Sequence, residues 1–166
     1  MKILSALLLM LMLSTAALAG DPATWFDLEG CGMCKHLLDD QDLFQHMDWK
    51  NHRLTNGLME VTTYPDGYAE RFDALMKKME AAGNKLMAGE QLPLCNMCQS
   101  YGRMMMAGAA FDHIPLENGA ASVITAQDPQ TIALIHEHVD TTIKAYEMMM
   151  AEQGHGHGHD HHGHAH

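Results

Sequence analysis

The sequence predicts an α+β fold in which two tandem helix–β-hairpin–helix repeats form a small antiparallel sheet covered by helices. Three observations lead to this prediction. The motif Cys-x-Met-Cys occurs twice, 64 residues apart. An Asn-Gly turn signal follows each copy, and an apolar stripe at helical spacing follows each turn. The two halves therefore contain the same elements in the same order.

The two halves align if two residues are missing from the second half, between its cysteine pair and its Asn-Gly turn. Around the cysteines the offset is 64 residues, and from the Asn-Gly turns onward it is 62. Because side chains alternate between the faces of a strand, the loss of two residues keeps each side chain on its original face. We therefore interpret the chain as an internal duplication.

Each half begins with a helix that starts at the cysteine pair. The first such helix is predicted to end near His46 and the second near Ala110. An Asn-Gly hairpin follows in each half, because both central residues of such a turn favour positive φ. The predicted strands are Asp48–Leu54 with Leu58–Tyr64, and His113–Glu117 with Ala120–Thr125.

A second helix closes each half. Its predicted starts are Asp66 and Asp128, whose carboxylates can accept hydrogen bonds from the exposed amides of the first turn. Pro129 at the first helical position supports the second start. Short strands at Thr24–Leu28 and Gln91–Leu94 are predicted before the cysteine pairs.

The N-terminus has the pattern of a secretory signal. Lys2 precedes an apolar run that ends at a small-x-small site, Ala17 to Ala19. The run is too short for a comfortable membrane span, so we predict a periplasmic or secreted protein, free of the membrane after cleavage. The predicted divisions are the signal peptide (1–19), the first repeat (20–82), a linker (83–90), the second repeat (91–152) and a His-rich tail (153–166).

The charge balance indicates cationic partners. The chain has 10 Lys and Arg residues against 21 Asp and Glu residues, a formal net charge of −11. Such a surface repels nucleic acid and anionic lipid, and it favours metal ions. We therefore predict metal ions as partners and exclude nucleic acid.

All four cysteines lie in pairs at i, i+3, which places two sulfurs on one face of a helical turn. A helix N-terminus favours the thiolate, which is the form that binds metal. Thiolate together with thioether suits Cu(I), and zinc is possible where histidine joins. The predicted ligands are Cys31, Cys34, Cys95 and Cys98, with Met33 and Met97 between them.

Three other interpretations of the cysteine pairs stay open. In an oxidising compartment each pair can close a disulfide and act as a structural staple. The pairs can also share one zinc ion, although they are much farther apart in sequence than the usual 15–20 residues or so. A thiol-disulfide oxidoreductase is the third. No Ser-His-Asp arrangement, phosphate loop or nucleotide fingerprint is present, so we predict a protein without enzymatic activity.

Histidine and methionine extend the predicted metal chemistry. His36 and His113 are further candidate ligands, whereas His136 and His138 are two residues apart on a helix and cannot both face one ion. The methionine triplets at 104–106 and 148–150 are candidates for transient contact with a soft metal. The tail is predicted to be disordered and to collect zinc, nickel or Cu(II) through its seven imidazoles. These are His155, His157, His159, His161, His162, His164 and His166.

The order of strand, Cys-x-x-Cys, helix, hairpin and helix between Trp25 and Gly83 resembles the heavy-metal-associated domain, a ferredoxin-like copper carrier. Glu29 stands where that family has a methionine. A duplicated, exported unit is also similar to the periplasmic accessory copper proteins of nitrous oxide reductase. The resemblance implies a ferredoxin-like fold and Cu(I) at the cysteine pairs. We expect a copper chaperone or sequestering protein, with a metal-donating or metal-accepting periplasmic protein as its partner.

Overall fold

The computed structural model of the protein describes residues 22–154, so the predicted signal peptide and the tail histidines lie outside the described residues. The α+β class is confirmed, with four α-helices and a four-stranded antiparallel sheet in the described part. The helices are α1 (Gln41–His46), α2 (Ala69–Met87), α3 (Asn96–Met106) and α4 (Pro129–Gly154). The strands are β1 (Asp48–Leu54), β2 (Gly57–Thr63), β3 (Ala110–Leu116) and β4 (Gly119–Thr125).

The sheet has the strand order β1-β2-β4-β3, so the second strands of the two hairpins pair with each other at its centre. In this pairing Glu60 lies opposite Ser122. These two positions are related by the 62-residue offset of the sequence, as expected if the hairpins are arranged about a local twofold axis. The duplication itself stays a prediction, as does the ferredoxin-like assignment.

The two hairpin glycines allow the hairpins to pair closely. A Cβ atom on Gly57 would lie 2.0 Å from the carbonyl oxygen of Ile124, and one on Gly119 would lie 2.0 Å from that of Thr62. The Asn-Gly signals therefore mark both hairpins, but the expected positive φ at both central residues is wrong. No described residue other than glycine has a positive φ. Close approach of β2 and β4 requires these glycines.

Two hydrophobic cores flank this central pairing. Phe72 and Leu75 of α2 pack in the first core, which also contains Ala120 from the second hairpin. Ile135 of α4 packs in the second core, which also contains Leu58 from the first hairpin. Since each core includes a residue from the opposite hairpin, the two halves share their interior. Within residues 22–154, no helix is both long and apolar enough to cross a membrane.

The predicted helix starts agree with the structure in only one half. Asp128 caps α4, because its carboxylate accepts a hydrogen bond of 2.9 Å from the Thr131 amide. Asp66 does not cap α2, which begins at Ala69. Gly67 has a φ of 88° and inserts a left-handed turn that separates Asp66 from the helix.

Several predicted boundaries are also corrected. The helix at the first cysteine pair is a 3₁₀ helix over Cys34–Asp40, followed by α1. At the other end, α3 stops at Met106, before the predicted Ala110. Helix α2 continues to Met87, into the segment that was predicted to be a linker.

The short strands predicted before the cysteine pairs do not form. Thr24–Leu28 and Gln91–Leu94 contain no strand residue. These segments make single backbone hydrogen bonds instead of a ladder. The Gly32 amide donates to the Pro93 carbonyl at 2.7 Å, and the Met97 amide donates to the Trp25 carbonyl at 3.2 Å. Pro93 itself has no N–H with which to continue a ladder.

Candidate metal centre

The fold brings the two cysteine motifs together. Cys34 begins the 3₁₀ helix, and Cys95 is the N-cap residue of α3. The hydrogen bond from Gly32 to Pro93 joins the loops directly. A Cβ atom at Gly32 would meet Leu92 Cβ at 3.1 Å, so glycine here permits the close contact of the two loops.

The four sulfur atoms form one cluster, and each lies within 4.8 Å of the others. The closest contacts join the two motifs: Cys31 to Cys98 at 3.6 Å, Cys34 to Cys98 at 3.5 Å and Cys34 to Cys95 at 3.6 Å. All four cysteines are free in the structure, and these separations far exceed a disulfide bond of about 2.05 Å. The disulfides that were an alternative interpretation of each pair are therefore not formed in the structure.

The spacing of the sulfurs suits a single four-coordinate ion. Four thiolates at about 2.3 Å from a tetrahedral metal would lie about 3.8 Å from one another. The measured contacts of 3.5–3.6 Å are within a few tenths of an ångström of that value. These three pairs of sulfurs are thus spaced nearly as a metal site requires, and the other pairs lie within 4.8 Å.

The cluster is enclosed on most sides. Cys31, Cys34 and Cys95 are 1%, 0% and 6% exposed, and only Cys98 is partly accessible. Several thiolates in so apolar a setting would repel one another, and a bound cation would offset this repulsion. The surrounding apolar side chains are Leu28, Met33, Leu37, Leu94 and Met97.

Hydrogen bonding shifts the pKa values of Cys34 and Cys95 in opposite directions. The hydrogen bond with Cys34, followed by that with Cys98, lowers the pKa of the Cys95 thiol. The same contact with Cys95 is the largest cause that raises the pKa of Cys34. These thiols therefore titrate as a coupled group, and their protons must leave when a cation binds.

The other predicted ligands lie in different places. Met33 and Met97 pack against the cluster, and their role as ligands stays a prediction. His36 instead pairs with Asp39, at 3.2 Å between Nδ1 and Oδ2. His113 lies on β3 and lines a cavity in front of the sheet. Among the Cys, His, Asp and Glu side chains of residues 22–154, the four cysteines form the one group that could hold a metal ion.

A buried polar group that the sequence did not indicate lies beside α3. Tyr101 donates a short hydrogen bond to Glu60, and the ring of His138 lies 4.6 Å from the Tyr101 ring. His138 is fully buried on α4, whereas His136 on the same helix bonds the Leu54 carbonyl at 2.9 Å. The two histidines therefore point apart, as predicted.

Comparison with protein families, with curated proteins and with solved structures found no match to this chain. The resemblance to copper-carrying domains thus stays a prediction. The candidate function must be argued from the sulfur cluster and its surroundings.

Proposed function

We propose that this chain is an exported metal-binding protein without catalysis of its own, which holds one soft metal ion between its two cysteine motifs. The observation that supports the proposal is the convergence of four free sulfurs within 4.8 Å of one another. Export is supported by the signal-like N-terminal pattern. We assign Cu(I) as the ion, and chaperoning or sequestration as the role.

The surroundings of the cluster favour Cu(I). The four clustered donors are all sulfur, and the side chains of Met33 and Met97 pack against the cluster. Soft donors of this kind select Cu(I). The burial of three cysteines would make release slow, which favours sequestration, while the partly accessible Cys98 offers an edge where a partner's ligand could exchange.

Structural zinc is the second candidate, and the tetrahedral spacing of the sulfurs favours it. Four-thiolate tetrahedral sites are typical of Zn(II) and of iron–sulfur centres. Such a zinc ion, which we call a zinc staple, would hold the two loops together and would not be passed to a partner protein. The two candidates differ in metal preference and in the number of sulfur ligands that the ion takes.

The test is an anaerobic titration of the reduced full chain with Cu(I) and with Zn(II), each against a competing chelator. We expect about one tightly held Cu(I) per chain, and X-ray absorption should show sulfur ligands only. The matched control is C31S/C34S/C95S/C98S, which keeps the histidine tail and should lose the tight component. Preference for Zn(II) with four sulfurs would replace Cu(I) by the zinc staple. Insulin-reduction activity without metal uptake would instead indicate the oxidoreductase.

A further inference from the structure

A groove of about 500 Å³ lies between α2 and α4, above the sheet. Phe72 and Leu75 of α2 form one wall, Ile143 and Tyr146 of α4 form the other, and Glu60 of β2 lies among the strand residues below. This volume is typical of sites that hold a ligand. The groove is distinct from the interior of the sulfur cluster, because no cysteine lines it.

The groove and the cluster share a wall. Leu28, Leu37 and Met97 pack against the cysteines and also line the groove. Met97 lies one residue before Cys98, the only cysteine of the cluster that is partly accessible. An ion in the groove is therefore separated from the thiols by a single layer of side chains, and that layer contains a thioether.

Methionine is the recurrent residue type of the groove. Five methionines line it, from the segment before β1, from α2, from the start of α3 and from α4. These side chains surround an open space that they do not fill, and Met76 is 36% exposed. Met47 is buried in the first core and Met79 packs against it, whereas Met76 borders the open space, so core filling does not account for all of them. They are Met47, Met76, Met79, Met97 and Met149.

Thioether chemistry identifies the occupant. A thioether is a neutral, soft ligand that suits Cu(I) and is a poor partner for Zn(II). Because it carries no charge, it binds Cu(I) more weakly than a thiolate does and can release the ion to one. His113, which also lines the groove, adds an imidazole that can serve in the same way.

We propose that the groove is the route by which Cu(I) enters the cysteine cluster, with methionine thioethers as transient ligands. This proposal rests on the proposed Cu(I) function. In each step one bond from copper to a ligand forms as another breaks, and copper stays Cu(I) throughout. The protons of the cysteine thiols pass to solvent when the thiolates take the ion.

The test measures the rate of Cu(I) transfer from a coloured Cu(I)–chelator complex to the reduced full chain by anaerobic stopped flow. The variant M76L/M79L/M149L removes three thioethers at nearly constant volume and leaves Met97 and all four cysteines in place. We expect the rate at which Cu(I)–thiolate absorbance appears to fall by about tenfold, which corresponds to about 1.4 kcal/mol on the barrier. The final Cu(I) stoichiometry should not change.

The matched control is M87L, which removes a methionine that is 78% exposed and does not line the groove. This control should take up Cu(I) at the wild-type rate, and Zn(II) uptake should be equal in all three proteins. Unchanged Cu(I) uptake by the triple variant would overturn the route, even if the groove binds a neutral apolar probe. Lower Cu(I) stoichiometry would also overturn it, since the methionines would then be permanent ligands. Failure of the wild type to bind Cu(I) would reject the proposed function itself.

Discussion

At the scale of single residues, His138 is the least expected group in the protein. Its side chain is fully buried, and neither ring nitrogen has a hydrogen-bond partner within the described residues. The nearest carboxylate oxygen belongs to Glu60 and lies 3.9 Å from Nε2. Burial, followed by the charge of Arg103, lowers the pKa of His138 to about 4. The imidazole is therefore neutral in the folded protein at physiological pH.

This burial predicts a pH dependence of stability. The unfolded histidine binds a proton below about pH 6.5, whereas the folded one does so only below about pH 4. The free energy of unfolding should therefore fall as the pH drops between these values, by about 3 kcal/mol in total from this group. H138L should remove this contribution and should be at least as stable at pH 7, because no polar ring is left unsatisfied. Urea unfolding at a series of pH values measures both effects.

The second variant for this prediction is R103Q. Arg103 is the smaller of the two causes that lower the pKa of His138, so its removal should weaken the pH dependence between 6.5 and 4 only in part. If the free energy of unfolding of H138L fell with pH as steeply as that of the wild type, the buried imidazole would not be the cause of the pH dependence.

At the scale of elements, an ion-pair network joins α2 to the segment that leads from the cysteines into α1. Arg71 donates from Nε to Asp40 and from Nη1 to Asp42, each at 2.7 Å. Lys78 donates to Asp39 at 2.8 Å. Asp40 also caps α1 by accepting a hydrogen bond from the Leu43 amide at 3.0 Å. The aspartates that follow the first cysteine motif thus fix the position of its 3₁₀ helix against α2.

The network predicts a second pH effect, at more acidic values. Arg71, followed by the Leu43 amide, lowers the pKa of Asp40 from 3.8 to about 2. Because folding lowers the pKa of this carboxyl, ionised Asp40 stabilises the folded protein fully above about pH 3.8. This contribution to the free energy of unfolding is lost as the pH falls through about 2. R71Q should raise the Asp40 pKa towards its ordinary value, as measured by NMR titration of the carboxyl group. K78Q is the control and should shift mainly Asp39. An Asp40 pKa that stays near 2 in R71Q would assign the shift to the Leu43 amide alone.

The predictability of each element depends on whether its signal is local. The strands of the first hairpin and the Asp128 cap follow from adjacent residues, and the structure confirms them within a residue. Asp66 carries the same cap signal but fails, because Gly67 turns the chain before the helix can start. The pairing of β2 with β4 and the meeting of the cysteine motifs could not be deduced, since both join segments about sixty residues apart. Spacing alone identified the cysteines as candidate ligands but left open whether they could share an ion.

At the scale of the whole molecule, the sulfur cluster is an addition to a fold that has its own cores. The two main cores contain no cysteine, and each already includes residues from both hairpins. The cluster joins the loops at one end, through Cys31 and Cys34 from one motif and Cys95 and Cys98 from the other. We therefore expect the metal-free protein to keep its sheet and to lose order mainly around the motifs.

Metal binding should stabilise the chain without being required for folding. A ligand that binds only the folded state, at about 1,000 times its dissociation constant, adds about 4 kcal/mol. For a chain of this size, that free energy corresponds to a rise in Tm of about 10 °C.

On chelation, hydrogen exchange should accelerate over 31–40 and 95–106 and stay slow in β2 and β4, because the sheet does not depend on the cluster. C31S/C34S/C95S/C98S is the control, whose Tm should not respond to Cu(I) although its histidine tail is intact. Cooperative unfolding of the whole chain on chelation would contradict this expectation. It would favour the zinc staple, because a stored ion can leave a folded protein whereas a structural ion cannot.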